Sequence, residues 1–263
     1  MPTSSTTSGE RVPTTTSGSQ RFTRLSVIIP VYNEEKTVLE IVRKVQAVEL
    51  PLEKEIIVVD DGSHDRTPQI LATLPTGEGV RVHTCPVNQG KGAAIRSGLG
   101  LATGDIVLIQ DADLELDPNE YPILIAPIVS SQAQVVYGSR FSGGRNRALS
   151  LSYLANRFLI AMTNILYGAG LTDMETCYKV FRRDVIRQVR LCANRFEFEP
   201  EVTAKVLRLG YGIHEVPISY RPRTSAEGKK IKAKDGILAA YHLLKWRLAR
   251  SNRIGTRAEE GQS

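Results

Sequence analysis

The sequence is organised by one recurring transition, in which a short apolar, β-branched run empties into a cluster of polar turn residues. Residues 25–30 (LSVIIP), 55–59 (EIIVV) and 105–110 (DIVLIQ) are such runs, and residues 80–84 read as a further strand. Runs this short and this apolar suit strands covered on both faces of a parallel sheet. Helix-period segments separate them. Residues 34–47 place Val38, Ile41, Val42 and Val45 on one face, 65–74 form a shorter helix, and 92–103 a small-residue one. This alternation predicts an α/β chain with a doubly wound, mostly parallel sheet through about residue 113.

Beyond that point the pattern changes. Residues 121–131 and 151–167 read as helices, 134–138, 178–182 and 213–220 as strands, and 200–209 as a helix before the last strand. Residues 1–20 carry eleven Ser/Thr and almost no large apolar side chains, too little to offset chain entropy, so a disordered tail is expected there. The folded unit is expected over 21–234, followed by a basic amphipathic helix at 235–250 and a flexible tail at 251–263.

The net charge of +6 is unevenly placed: residues 221–257 hold eleven Lys/Arg against Glu227 and Asp235, leaving the rest mildly acidic. A basic end of this kind implies phosphate-bearing partners. The longest uncharged run, 121–139, contains Pro122 and Pro127 and turns polar, unlike the roughly 20-residue apolar helix a bilayer needs. With no apolar leader at the N-terminus either, a cytoplasmic protein with at most peripheral membrane contact is expected. Cys85, Cys177 and Cys192 show no metal spacing and read as plain thiols, and the four histidines as incidental.

In open α/β sheets ligands bind at the carboxyl ends of the strands. Three strands here end in polar clusters: Pro30-Val31-Tyr32-Asn33-Glu34, Asp60-Asp61-Gly62-Ser63 and Asp111-Ala112-Asp113. Carboxylates at i and i+2 past a buried strand can reach one hard cation, whose other positions take phosphate oxygens and water. Glu115 is either a third ligand or a loop charge. Asp61 either accepts from a base or ribose or closes an Asx turn with Gly62, and Tyr32 either faces a nucleobase or packs in the core. Asn88-Gln89-Gly90-Lys91-Gly92 opens a helix with glycines and a cation, an arrangement that offers backbone donors to an anion. Arg140, at a further strand end, and Arg223 with Lys229-Lys230, in a basic loop, are candidates for clamping phosphates.

Taken in order, PVYNE, VVDDGSHD, NQGKGAAIRSG, IQDADLE, YGSRF, TDMETCYKVFRR and EVPISYRPR…EGKK resemble the family 2 glycosyltransferases of the GT-A fold. The nearest branch is the dolichyl- and polyprenyl-phosphate sugar synthases, and the resemblance spans about residues 25–232. It implies the GT-A nucleotide-diphospho-sugar transferase fold and Mg2+ or Mn2+ as cofactor. Pro30, Tyr32, Glu34, Val59, Asp61, Gln110, Asp111, Ala112 and Asp113 then line the nucleotide-sugar site. Asp111, Asp113 and Glu115 become the metal ligands, and Asp113, Arg140, Arg223 and Lys229 the catalytic set. The implied reaction moves a hexose from a nucleotide sugar (GDP-mannose or UDP-glucose) to a polyprenyl phosphate, with inversion, at a membrane surface. A second reading has a hydroxyl acceptor, for which Asp173 or Glu175 is the base. A third, a non-catalytic binder of anionic surfaces or nucleic acid, leaves the carboxylate cluster unexplained and lacks interleaved aromatics for base stacking; no nucleic-acid partner is expected.

Overall fold

The structure, a computed structural model, describes residues 22–75, 77, 79–141, 151–222 and 233–256. Arg223 and Lys229 lie outside the described residues.

The first half follows the strand–helix alternation. β1 (Arg24–Val31), β2 (Glu53–Asp60), β3 (Val80–Thr84) and β4 (Ile106–Ile109) are parallel, with α1 (Val38–Ala47), α2 (Thr67–Leu71) and α3 (Lys91–Leu101) between them. Every residue of β4 is buried, as are the last six of β2, which is why these segments are continuously apolar rather than alternating. On α1 the buried residues are Val38, Ile41, Val42 and Val45, the stripe set by the 3.6-residue period.

The second half adds α4 (Tyr121–Val129), β5 (Val135–Ser139), α5 (Leu151–Tyr167), β6 (Lys179–Arg182), α6 (Arg183–Ile186), α7 (Phe198–Arg208), β7 (His214–Pro217) and α8 (Ala233–Leu248). The sheet order is β3-β2-β1-β4-β6-β5-β7. β6 runs antiparallel to both β4 and β5, and β7 is parallel to β5. This reversal positions the site. Leu108 pairs with Val180 and Tyr137 with Lys179, so the segment leading into β6 arrives at the edge where β4 and β5 end. Residues 172–177 therefore join the carboxylate turn, although they are remote from it in sequence.

The main core fills the space around the sheet. A second cluster packs α5 against α8 through Leu159, Ile160, Met174, Ala239 and Leu243, and a third joins Ala204, Trp246 and Ile254. The C-terminal helix is thus docked along one face. Among the described residues no helix is long and apolar enough to cross a membrane.

Candidate active site

β4 delivers its last residues into a held turn. Gln110 is fully buried; its Oε1 accepts from the Tyr121 and Tyr178 hydroxyls, each at 2.8 Å, and its Nε2 donates to the Asp111 carbonyl at 2.9 Å. Its side chain thus anchors the turn from below. Ala112 is buried, and Asp113 Oδ1 accepts from the Glu115 N–H at 3.1 Å. Leu114 has φ +62°, a left-handed conformation that L-residues other than Gly adopt at a cost.

Glu115 is tied to residues 220 and 221. It meets the Tyr220 hydroxyl, and its carbonyl accepts from the Arg221 N–H at 2.9 Å. Among the described residues no three His, Cys, Asp or Glu side chains gather as a metal cage. Asp111, Asp113 and Glu115 follow one another along this turn, and Glu115 is engaged there by Tyr220. Asp111 and Asp113 remain as two hard oxygen donors, which suit a Mg2+-like ion that takes its other ligands from phosphate and water.

Asp111 has a partner that the sequence reading missed. Lys91 Nζ lies 3.0 Å from each Asp111 carboxylate oxygen and 2.9 Å from Glu199 Oε1. Burial opposes both charges, but the attraction outweighs it, holding the Asp111 carboxyl below and the Lys91 ammonium above their usual ranges. No pattern pointed to Glu199, because acids in the first turn of a helix are ordinary partners of its dipole.

The glycine-rich loop before α3 serves a different purpose from the one expected. Its Gln89 and Gly90 N–H groups donate to the Asp61 carboxylate at 2.9 and 2.7 Å, and Asn88 Nδ2 adds a bond of 2.8 Å. The anion it binds is the chain's own Asp61. Three residues further on, the Ala93 N–H donates to the Asn194 carbonyl at 3.0 Å. Gly90 has φ +105°, and a Cβ there would lie 2.5 Å from that carbonyl oxygen; one on Gly92 would lie 2.6 Å from Ala193 O. The glycines let residues 193–195 cross the helix start, leaving no phosphate cradle at Ala93.

At the end of β5, Arg140 clasps Asp173. Its Nε and Nη2 donate to the two carboxylate oxygens at 2.7 and 2.8 Å, and its backbone N–H donates at 2.9 Å. The guanidinium also lies over the Phe141 and Tyr220 rings, at 5.5 and 5.2 Å from their centroids. Asp173 is wholly buried, with both oxygens engaged. Two residues on, Glu175 has a buried Oε1 without a hydrogen-bond partner. Burial, reinforced by Glu199, pushes its carboxyl up to about 7 against the pull of Lys179 and Arg140.

The remaining nucleotide-site candidates cluster at the ends of β1 and β2. Asn33, with φ +51°, accepts from the His64 N–H at 2.8 Å through its side chain, while its own N–H donates to Ser63 Oγ at 2.9 Å. These bonds fasten the two strand-end loops together. Tyr32 is part-exposed and meets His64 edge-on, at 6.4 Å between ring centroids. Pro30 is part-exposed too, whereas Val59 is a core residue with no exposed surface. Glu34 accepts from the Thr37 hydroxyl at 2.8 Å, at the start of α1. The ends of β1, β2, β4 and β5 thus form one edge, carrying a carboxylate pair, an aromatic face and an Arg held by an Asp. Such a set can bind a metal-bound diphosphate beside a flat base.

The family profile described as glycosyl transferase family 2 matches residues 26–190. The chain is 31% identical over 212 residues to the undecaprenyl-phosphate 4-deoxy-4-formamido-L-arabinose transferase of Pseudomonas fluorescens (strain SBW25), covering 78% of this chain and 59% of that one. It is 32% identical over 213 residues to the protein of the same name from Pseudomonas aeruginosa (strain LESB58), covering 78% and 60%. The chain therefore spans about 60% of the length of these relatives. Among solved structures, it resembles glucosyl-3-phosphoglycerate synthase from Mycobacterium tuberculosis in complex with UDP, with a TM-score of 0.66 and 24% identity over 88% of this chain and 80% of that one. The same protein with Mn2+, UDP and phosphoglyceric acid gives 0.65 and 25%, over 87% and 80%.

Proposed function

The chain belongs to glycosyltransferase family 2 and has the GT-A fold, and from that membership we propose that it transfers a hexose from a nucleoside-diphosphate sugar to a polyprenyl phosphate, inverting the anomeric carbon. The observation that carries this reading is the state of Asp173. A hydroxyl acceptor needs a general base, and the Asp173 carboxylate is closed on both oxygens by Arg140. A phosphate acceptor needs none, since its second pKa of about 6 leaves it mostly ionised at neutral pH. The names of the Pseudomonas relatives, which are undecaprenyl-phosphate sugar transferases, support the same acceptor class.

In this reading Asp111 and Asp113 hold the metal. A bound Mg2+ or Mn2+ supplies Lewis-acid neutralisation of the departing diphosphate. Arg140 is assigned to the phosphates: its Nε and Nη2 edge is fixed on Asp173, and its Nη1 makes no hydrogen bond among the described residues. Arg223 and Lys229 are assigned the same task from the sequence. Tyr32, with Pro30, Glu34 and Asp61, forms the base and ribose side. Gln110, Val59 and Ala112 act through the main chain they hold in place. Of the two donors expected, UDP-glucose has the support of the UDP bound in the mycobacterial structure.

One observation favours a second reading. Glu175, with a carboxyl near 7 and an unpartnered oxygen, has the character of a general base, so a hydroxyl acceptor is its natural alternative. The two separate in one experiment. The protein is incubated with a panel of nucleotide sugars and either a short polyprenyl phosphate or a soluble hydroxyl acceptor, with and without chelator. Transfer to the lipid phosphate, abolished by chelator and retained in Glu175→Gln, is expected, with the product anomer inverted. Transfer only to the hydroxyl acceptor, lost in Glu175→Gln, overturns the proposal in favour of the second reading.

A further inference from the structure

Lys91 sits where a cation sits. Its ammonium is equidistant, at 3.0 Å, from both oxygens of Asp111, the geometry of a charge centred on the carboxylate. It reaches the same carboxylate that is assigned to the metal. Its other contact, Glu199, is buried and has a second oxygen, Oε2, without any hydrogen-bond partner. Lys91 is thus shared between two acids, one at the rim of the site and one beneath it, and the buried acid has unused capacity to accept. The lysine is also held at its root. It is the first residue of α3, and the crossing of residues 193–195 over Gly90 and Gly92 fixes where that helix begins. The side chain can therefore swing while its backbone stays in place.

We propose that Lys91 is a resident counter-ion that occupies Asp111 in the free protein and yields it to the metal, moving fully onto Glu199 when the nucleoside diphosphate and metal enter together. The inference rests on the placement of a metal at Asp111 and Asp113 made above. Its physical content is competition. Before the donor binds, a divalent ion must displace an ammonium to use Asp111. The negative diphosphate supplies further ligands and offsets the extra positive charge, so metal and nucleotide bind cooperatively. Lys91 and Glu199 are positioning residues in this scheme: Lys91 sets when Asp111 is open, and Glu199 receives Lys91 when it leaves.

The test is Mn2+ binding to the full chain, followed by the loss of the free-ion electron paramagnetic resonance signal, with and without UDP and GDP. Melting temperature is recorded in parallel as an independent measure of binding. In the wild type, Mn2+ alone is expected to bind weakly and a nucleoside diphosphate to tighten it. Lys91→Met exposes Asp111 and Glu199 together as an unneutralised acidic pair. Mn2+ alone should then bind about tenfold tighter, with the nucleotide adding less. Glu199→Gln leaves Lys91 on Asp111 with no second acid to receive it, so Mn2+ should bind more weakly with or without nucleotide. Opposite movements are the signature, because a merely structural role weakens binding in both variants. If Lys91→Met does not fold, the Glu199→Gln arm still decides: unchanged Mn2+ affinity there overturns the proposal. Variants that move together, or not at all, while the wild type binds Mn2+ with nucleotide also overturn it. A wild type that binds no Mn2+ even with nucleotide overturns instead the metal placement on which it rests.

Discussion

Asp173 and Glu175 stand two residues apart in one short segment, yet their surroundings give them opposite characters. Arg140 matches the Asp173 carboxylate with two side-chain donors and one backbone donor, so its charge is compensated although it is fully buried. Glu175 lacks such a partner at Oε1 and faces Glu199 and Asp173 as like charges, with Lys179 and Arg140 as the opposing ones. Its carboxyl sits near 7 in the folded protein against 4.5 ordinarily. Between those values the folded state holds a proton that the unfolded chain has released. Stability therefore falls as pH rises from about 4.5 to about 7, and the contribution is level above that. The full shift corresponds to an upper limit of about 3 kcal/mol. Urea unfolding at pH 5, 6, 7 and 8 should show the difference between wild type and Glu175→Gln growing in favour of the variant across this window. A difference independent of pH would show that Glu175 is ionised throughout. The sequence offered both residues as bases on equal terms. What separates them is the approach of Arg140 from the end of β5, a tertiary contact between residues 33 apart.

At the scale of elements, α7 joins the site to the C-terminal helix. Glu199 points at Lys91, while Glu201, wholly buried, accepts from the Cys192 and Ala193 N–H groups, the latter at 2.6 Å, and pairs with Lys205 at 2.7 Å. Lys205 in turn lies 3.7 Å from the centroid of the Trp246 ring on α8. The clamped segment continues into the residues that cross the start of α3. Removing one member of a buried ion pair leaves an uncompensated charge and costs about 3–5 kcal/mol. Glu201→Ala should therefore lower the stability by that order in denaturant unfolding. Trp246 is the only tryptophan, so its emission reports the docking of α8 directly and should shift to the red in that variant. Unchanged stability and emission would mean that the pair and the helix are independent.

The same scale explains what was legible. Parallel strands covered on both faces announce themselves as apolar runs, and the strand-end position of Asp111 and Asp113 followed from them. β6 reads as a strand, but its reversal does not show in the sequence, since nothing in the four residues Lys-Val-Phe-Arg encodes a direction. Lys179 and Lys205, both fully buried, look like surface lysines in the sequence, because their partners are the 174 and 176 carbonyls in one case and the Glu201 carboxylate in the other. The glycine loop before α3 was recognised for its backbone donors, but its ligands, Asp61 and Asn194, come from elsewhere in the chain.

For the whole molecule, α5 and α8 lie side by side at a surface and divide their apolar residues between two directions. Leu159, Ile160, Ala239 and Leu243 face inward, whereas Phe158 and Ile165 on α5 and Ile237 and Leu248 on α8 are 63, 83, 76 and 82% exposed. Leu238, Tyr241 and Leu244 extend the exposed strip, and Lys245, Arg247 and Arg250 are exposed near it. Trp246, on the same helix, is turned into the domain. A strip of large apolar side chains with adjoining bases suits a helix lying in the headgroup region of an anionic membrane, which is where a polyprenyl phosphate presents its charged end. On that basis α8 is expected to rest peripherally on a membrane surface. The double substitution Ile237→Ser and Leu248→Ser removes two of the most exposed members without touching the buried face, so the melting temperature should stay within about 2–4 °C of the wild type, as for surface changes of under 1 kcal/mol. Sedimentation with vesicles rich in phosphatidylglycerol should fall several-fold in the variant. Binding by the wild type should weaken as salt rises, because part of it is electrostatic. Equal sedimentation of the two proteins at every salt concentration would remove α8 from the membrane contact and leave the exposed face of α5 as the surface to vary next.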